Sequence, residues 1–142
     1  MESFLGRYST YIYALLRIVT GFLFMWHGAQ KLFNLPPAQL APGTPPQSLS
    51  TLMAIGGGIE LLGGILIMIG LFTSFAAFIS SGMMAVAYFM SHFSMQAFLP
   101  LQNRGELAVL YCFIFLYIAS RGSGVWSVEG AFRGSRPASD GG

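Results

Sequence analysis

The chain has 142 residues, of which 54% are hydrophobic and 8% are charged, and its formal net charge is +2. A soluble globular domain carries about 25% charged residues, so this composition excludes an ordinary water-soluble fold and favours a single-domain integral membrane protein. The basic residues are few and scattered, which excludes a nucleic-acid-binding surface. The single cysteine, Cys112, excludes an intramolecular disulfide and a CxxC thiol relay.

Four apolar segments are long enough to cross about 30 Å of hydrocarbon as helices. In chain order they are residues 11–33, 52–71, 75–92 and 105–120. Proline-containing stretches before the second and fourth segments predict irregular loops, whereas residues 72–74 predict a tight turn. The sequence therefore predicts an all-α, four-helix transmembrane bundle over residues 1–130 and a flexible polar tail over residues 131–142.

The distribution of basic residues predicts the orientation of this bundle. One basic residue precedes the first helix and three follow the fourth, namely Arg7, Arg121, Arg133 and Arg136. The opposite side has only Lys31 and Arg104. Because lysine and arginine accumulate on the cytoplasmic side of membrane helices, both termini are predicted to be cytoplasmic.

Glycines recur at heptad spacing on the first two helices. Gly21 and Gly28 lie seven residues apart on the first helix, and Gly56 and Gly63 do so on the second, with Gly64 alongside. Small residues at this spacing let membrane helices approach closely. We therefore expect these five glycines to form a packing seam between the first two helices.

Glu60 lies at the centre of the glycine stripe on the second helix, and Arg17 lies on the glycine-bearing stripe of the first. An ionisable group within the bilayer costs at least a few kcal/mol and normally faces the bundle interior or a wet cavity. The sequence predicts a buried Arg17–Glu60 ion pair. Such a pair is either structural alone or also part of a ligand or proton site.

A second polar group is predicted toward the outer face. Lys31 ends the first helix, His92 ends the third and Glu106 begins the fourth, while Tyr88 and Tyr117 lie on polar faces of the last two helices. One interpretation is interfacial charge, with a snorkelling lysine and a glutamate at a helix N-terminus. The other is a wet pocket in which His92 carries a proton. The histidines and carboxylates match no metal-binding spacing, so no metal site is predicted.

Four segments together resemble the DoxX family of small bacterial membrane proteins. They are LLRIVTGFLFMWHGAQKLF (15–33), GGGIELLGGILIMIGLFTSFAA (56–77), NRGELAVLY (103–111) and GSGVWSVEG (122–130). Arg104 stands where a glycine is common in the family. The resemblance implies a four-helix, multi-pass protein of the bacterial inner membrane with cytoplasmic termini, in agreement with the helix count.

Function in this family is loosely defined, and the resemblance implies a class rather than a reaction. Its founding example is similar to a small subunit of a thiosulfate:quinone oxidoreductase, and other members are associated with oxidative-stress membrane complexes that include superoxide dismutase and a sulfurtransferase. We therefore expect an accessory subunit in redox, sulfur or oxidative-stress metabolism, without a cofactor of its own. A quinone could lie between the helices, with Arg17 positioning Glu60 and with His92 or Glu106 exchanging protons.

The expected partners are the lipid bilayer, oxidoreductase or other membrane-complex subunits and further copies of the chain. Two alternatives stay open: a structural or assembly protein without a ligand, and a transporter or channel for small solutes.

Overall fold

The structure, a computed structural model, describes residues 4–45 and 48–134, and these residues are helical with no β-strand among them. A short 3-10 turn at Gly6–Tyr8 leads into the first helix. The helices are α1 (Ser9–Phe33), α2 (Thr51–Ile69), α3 (Thr73–Ser91), α4 (Pro100–Asn103), α5 (Glu106–Arg121) and α6 (Val128–Gly134). The all-α prediction is confirmed for this part of the chain.

Among the residues that the structure describes, three helical segments are long and apolar enough to cross a membrane: Gly6–Phe33, Thr51–Ile69 and Thr73–Ser91. The fourth predicted span corresponds to α5, which has 16 residues. A helix of that length extends about 24 Å, which is less than the hydrocarbon thickness of about 30 Å. The apolar helices indicate a protein in contact with the lipid bilayer.

The connection between α2 and α3 is a tight reversal, as expected, but it lies slightly earlier than residues 72–74. Gly70 ends α2 with φ 74°, and Phe72 adopts φ 49° directly before α3. Two left-handed residues within three positions reverse the chain direction, so α2 and α3 form an antiparallel pair. Glycine adopts this conformation without the steric penalty of a Cβ atom.

Helices α1 and α2 approach closely because glycines lie opposite each other. A Cβ atom on Gly28 would lie 2.5 Å from the carbonyl oxygen of Gly57, and one on Gly64 would lie 2.7 Å from that of Gly21. The seam therefore consists of Gly21, Gly28, Gly57 and Gly64. Backbones this close gain dispersion contacts that larger residues would prevent.

Two of the predicted seam glycines lie elsewhere, and the prediction was wrong for them. Gly56 has open space around its Cβ position, while a Cβ on Gly63 would meet the hydroxyl of Ser80 on α3 at 2.7 Å. Consecutive residues point about 100° apart around a helix, so of three adjacent glycines only Gly57 faces α1.

The second helix pair consists of α3 and α5, which are joined by small side chains. Ser81 donates a hydrogen bond to the carbonyl of Cys112 at 2.8 Å. Aromatic side chains fill the space between the two pairs: the Phe24 and Phe115 rings lie 4.5 Å apart, and Tyr111 stacks on Phe115 at 5.5 Å. The bundle is thus two closely packed hairpin-like pairs with an aromatic core between them.

The segment after α5 folds back onto the bundle. The Tyr13 hydroxyl donates to the carbonyl of Gly122, and the N–H of Glu129 donates to the carbonyl of Gly70 at 3.1 Å. Helix α6 ends at Gly134, so residues 131–134 of the predicted flexible tail are helical, while residues 135–142 lie outside the described residues. We name the end of the bundle that carries residues 122–134 the tail end, and the end that carries residues 92–105 the loop end.

Candidate functional site

Glu60 of α2 is the most buried carboxylate in the described part of the chain, and its partner is Lys31 of α1. The Lys31 Nζ atom lies 2.6 Å from Glu60 Oε1, with side-chain exposures of 38% and 3% respectively. The lysine stem crosses beside Gly57, where a Cβ atom would lie 3.3 Å from Lys31 Cβ. The glycine seam therefore gives the lysine room to reach a carboxylate inside the bundle.

The second oxygen of this carboxylate, Glu60 Oε2, is buried and has no hydrogen-bond partner within the described structure. Tyr111 of α5 is buried within electrostatic range of Glu60 and makes an edge contact with the ring of His27, at 6.0 Å between centroids. A buried carboxylate oxygen without a partner is costly. Glu60 is consequently a buried charged side chain whose hydrogen bonding is incomplete in the described structure.

The predicted Arg17–Glu60 ion pair was wrong. In the antiparallel α1–α2 pair, side chains lean toward the N-terminus of their own helix. Arg17 therefore leans toward the tail end and Glu60 toward the loop end, so the two diverge. Lys31, by contrast, leans inward from the loop end and meets Glu60. The direction of the Cα–Cβ bond along each helix is the feature from which Lys31 could have been predicted as the partner of Glu60.

Arg17 has a different role. It is fully buried and donates four hydrogen bonds to backbone carbonyls: Ile67 at 2.7 Å, Met68 at 2.9 Å, Val125 at 3.3 Å and Trp126 at 2.7 Å. The first two acceptors belong to the last turn of α2, where the Ile67 carbonyl also accepts the capping N–H of Gly70 at 3.2 Å. The other two belong to the segment that folds back. One guanidinium thus joins α1, the end of α2 and the C-terminal segment.

At the loop end, the side chain of Asn103 organises the polar residues. Its Nδ2 atom donates to the Tyr88 hydroxyl at 3.1 Å and to the Ala97 carbonyl at 3.0 Å, and the Tyr88 hydroxyl donates to the Phe98 carbonyl at 3.0 Å. His92 Nδ1 lies 3.1 Å from the Asn103 carbonyl oxygen. The sequence indicated Tyr88 and His92 but did not assign this central role to Asn103.

The remaining predicted site residues lie apart from the ion pair. Glu106 is exposed in the first turn of α5. Tyr117 is at the tail end, where its ring lies 5.8 Å from that of Tyr13. Within residues 4–45 and 48–134, neither His92 nor Glu106 makes a hydrogen bond or ion pair with the Lys31–Glu60 pair. The predicted polar group therefore divides into an ion pair and a separate loop network.

A groove between α2 and α3 has a volume of about 530 Å³ and opens beside Lys31. Its walls are apolar side chains of both helices, and Gly56 and Gly82 contribute positions without a side chain. Lys31 and Ser91 are its polar lining residues. The volume suits a drug-sized ligand, and the combination of apolar walls with few polar groups is typical of small-molecule sites.

No group of three or more His, Cys, Asp or Glu side chains that could hold a metal ion occurs in the part of the chain that the structure describes.

Comparisons with known proteins identify the family. The DoxX family model matches residues 12–93. The chain is also 39% identical over 134 residues to an uncharacterized protein of Haemophilus influenzae, a match that covers 90% of this chain and 96% of the relative. No solved structure matches the chain. The matched region contains the glycine seam, Arg17 and the Lys31–Glu60 pair, and the chain belongs to the DoxX family.

Proposed function

We propose that this protein is a small inner-membrane subunit that binds a quinone, or a similarly elongated apolar molecule, in the groove between α2 and α3. The observation that carries the proposal is that Lys31 lines the apolar groove while its ion-pair partner, Glu60, is buried behind it. The ligand tail would lie along the apolar walls, and its polar head would lie at Lys31.

The ion pair has the chemistry for a quinone head. An ammonium group has three donors, and one of them serves Glu60, so Lys31 retains donors for a ligand carbonyl oxygen. Reduction of a quinone to a quinol consumes two electrons and two protons. In this proposal the electrons come from a partner oxidoreductase subunit of redox or sulfur metabolism. The Lys31–Glu60 pair holds the ligand and exchanges protons with it.

The membrane arrangement that we propose has four spans with both termini in the cytoplasm. Phe115 and Ile118 of α5 are fully buried in the bundle core, which supports a position of α5 alongside the three longer helices. Local thinning of the bilayer or interfacial anchoring accommodates a short helix at modest cost. The basic residues near both termini favour the cytoplasmic side.

Reporter fusions test this topology. We expect a fluorescent reporter that folds only in the cytoplasm to be active after residue 134, and a periplasmic phosphatase reporter to be active within residues 37–45. The loop fusion is the internal control, because the connection between α1 and α2 lies opposite the N-terminus in either topology. Phosphatase activity after residue 134 would establish three spans and contradict the proposed arrangement.

Filling the groove tests the function. Gly82→Leu places a side chain into open space, since no atom lies within 4 Å of the Gly82 Cβ position. We expect the variant to fold normally but to lose at least about tenfold in quinone affinity, because displaced apolar contacts worth about 1.4 kcal/mol correspond to a factor of ten. The measurement is quinone binding to purified protein in detergent, by quenching of tryptophan fluorescence.

Gly58→Leu is the matched control, because its Cβ position is equally open but lines a neighbouring, smaller groove of about 310 Å³. We expect its quinone affinity to be unchanged. Lys31→Met tests the contact with the polar head separately. This variant should lose more affinity for quinone than for a saturated hydrocarbon probe of similar length. Wild-type protein that binds no quinone, or Gly82→Leu protein that binds it normally, would contradict the proposal and favour a structural or assembly role.

A further inference from the structure

A polar cavity of about 510 Å³ lies at the tail end, at the opposite end of the bundle from the Lys31–Glu60 pair. It is formed where the end of α5, the start of α3 and helix α6 meet. Besides three glycines, it is lined by Ser74, Ser120, Arg121, Ser123, Glu129 and Arg133. Its lining is thus polar throughout, in contrast to the apolar groove between α2 and α3.

The residues that line this cavity carry a net positive charge. Arg121 lies over the Tyr13 ring, 5.3 Å from its centroid, and has no ion pair within the described ranges. Arg133 is 80% exposed and lies 3.7 Å from Glu129 Oε2, while Glu129 Oε1 accepts a hydrogen bond from the N–H of Thr73 at 3.3 Å. Two guanidinium groups and one carboxylate leave a net charge of +1.

The position of the cavity along the bundle corresponds to the membrane–water interface. Arg121 is the last residue of α5 and Ser74 is the second residue of α3, so the cavity lies at the ends of two bundle helices. The rings of Tyr11 and Trp126 pack together at the same end, at 5.3 Å. Tyrosine and tryptophan concentrate at the level of lipid headgroups, where phosphate groups are abundant.

We propose that this cavity binds a phosphate group with one negative charge, supplied either by the headgroup of an anionic phospholipid or by a free phosphate. Arg121 and Arg133 clamp the phosphate oxygens, since a guanidinium presents paired donors that match phosphate geometry. The hydroxyl of Ser74, which lines the same cavity, provides a neutral donor, whereas the Ser120 hydroxyl donates to the Tyr117 carbonyl at 2.7 Å. A singly charged phosphate neutralises the net charge of the cavity. This site is independent of the proposed quinone function.

Native mass spectrometry of the full chain tests the proposal. Protein is exchanged into lipid nanodiscs of phosphatidylcholine alone or of phosphatidylcholine with phosphatidylglycerol, and the retained lipids are counted after release into detergent. We expect wild-type protein to retain phosphatidylglycerol preferentially. The double variant Arg121→Gln, Arg133→Gln should retain it at least about tenfold less, because it removes both guanidinium groups that contact the phosphate oxygens in the cavity.

Arg7→Gln is the matched control, because Arg7 belongs to the same end and also stacks on a tyrosine ring, 4.8 Å from the Tyr8 centroid, but does not line the cavity. Its lipid retention should equal that of wild type. A separate arm measures the thermal stability of lipid-depleted protein with inorganic phosphate. Stabilisation by phosphate without lipid preference assigns the site to free phosphate and supports the shared chemistry. Equal retention by wild type and the double variant, with no effect of phosphate, would overturn the proposal.

Discussion

Replacing Gly28 with alanine should strongly destabilise the protein, and replacing it with leucine should prevent the α1–α2 pair from forming. A Cβ atom at this position would lie 2.4 Å from the backbone nitrogen of Leu61 and 2.5 Å from the carbonyl oxygen of Gly57. Both neighbours are backbone atoms, so no side chain can rotate away and the helices must separate. Overpacking of this kind costs about 1–3 kcal/mol or more for one methyl group.

The measurement for Gly28→Ala is unfolding in detergent as the fraction of dodecyl sulfate increases, followed by circular dichroism. Gly56→Ala is the matched control, because no atom lies within 4 Å of its Cβ position. A helix-interior glycine is about 1 kcal/mol less favourable than alanine, so the control should unfold at the same or a slightly higher detergent fraction. Equal stability of the Gly28→Ala variant and wild type would show that the seam is not tightly packed.

The helices of this protein follow from its sequence because membrane-spanning segments have a strong signal in apolar composition. The expected boundaries 11–33 and 52–71 lie within two residues of Ser9–Phe33 and Thr51–Ile69. The seam was harder to predict. Residues 56–58 are all glycine, and only the rotation of α2 about its axis decides which of them faces α1. Packing against α3 and the aromatic core fixes that rotation, and no local pattern reports it.

At the candidate site, the sequence was likewise insufficient to predict how the long side chains pair. Burial of Glu60 and Arg17 was correctly expected, since both are less than 3% exposed. Their pairing was not, because heptad spacing gives the face of a helix but not the direction in which a side chain leans along the axis. In an antiparallel pair this direction selects Lys31 as the partner of Glu60. The groove beside Lys31 depends on the separation of α2 and α3, which is set by side chains of both helices and has no sequence signature.

Replacing Arg17 with methionine should release the C-terminal segment from the bundle and lower the stability of the whole protein. The guanidinium donates to carbonyls of both the last turn of α2 and residues 125–126. A hydrogen bond to a charged group contributes about 1.5–3 kcal/mol, and buried carbonyls left without donors add a desolvation cost. The loss of four such bonds, even partly compensated by water, is large relative to a typical folding free energy of about 5–15 kcal/mol.

Hydrogen exchange and the fluorescence of Trp126 distinguish this role from a general loss of stability. In a Trp26→Phe background, Trp126 is the remaining tryptophan of the chain and packs against Tyr11 at 5.3 Å. We expect Arg17→Met to increase exchange over residues 122–130 and to shift the Trp126 emission, while α3 and α5 retain protection in mild detergent.

Two controls separate the hydrogen bonds of Arg17 from its charge. Arg17→Lys keeps the charge but has three donors on one nitrogen, which cannot span carbonyls of α2 and of the C-terminal segment as a planar guanidinium does. It should therefore restore only part of the protection. Arg7→Met, at an exposed position of the same end, should leave exchange unchanged. If Arg17→Met retained full protection of residues 122–130, the segment would have to be held by its other contacts, the Tyr13–Gly122 and Gly70–Glu129 hydrogen bonds. Arg17 would then serve to cap α2 alone.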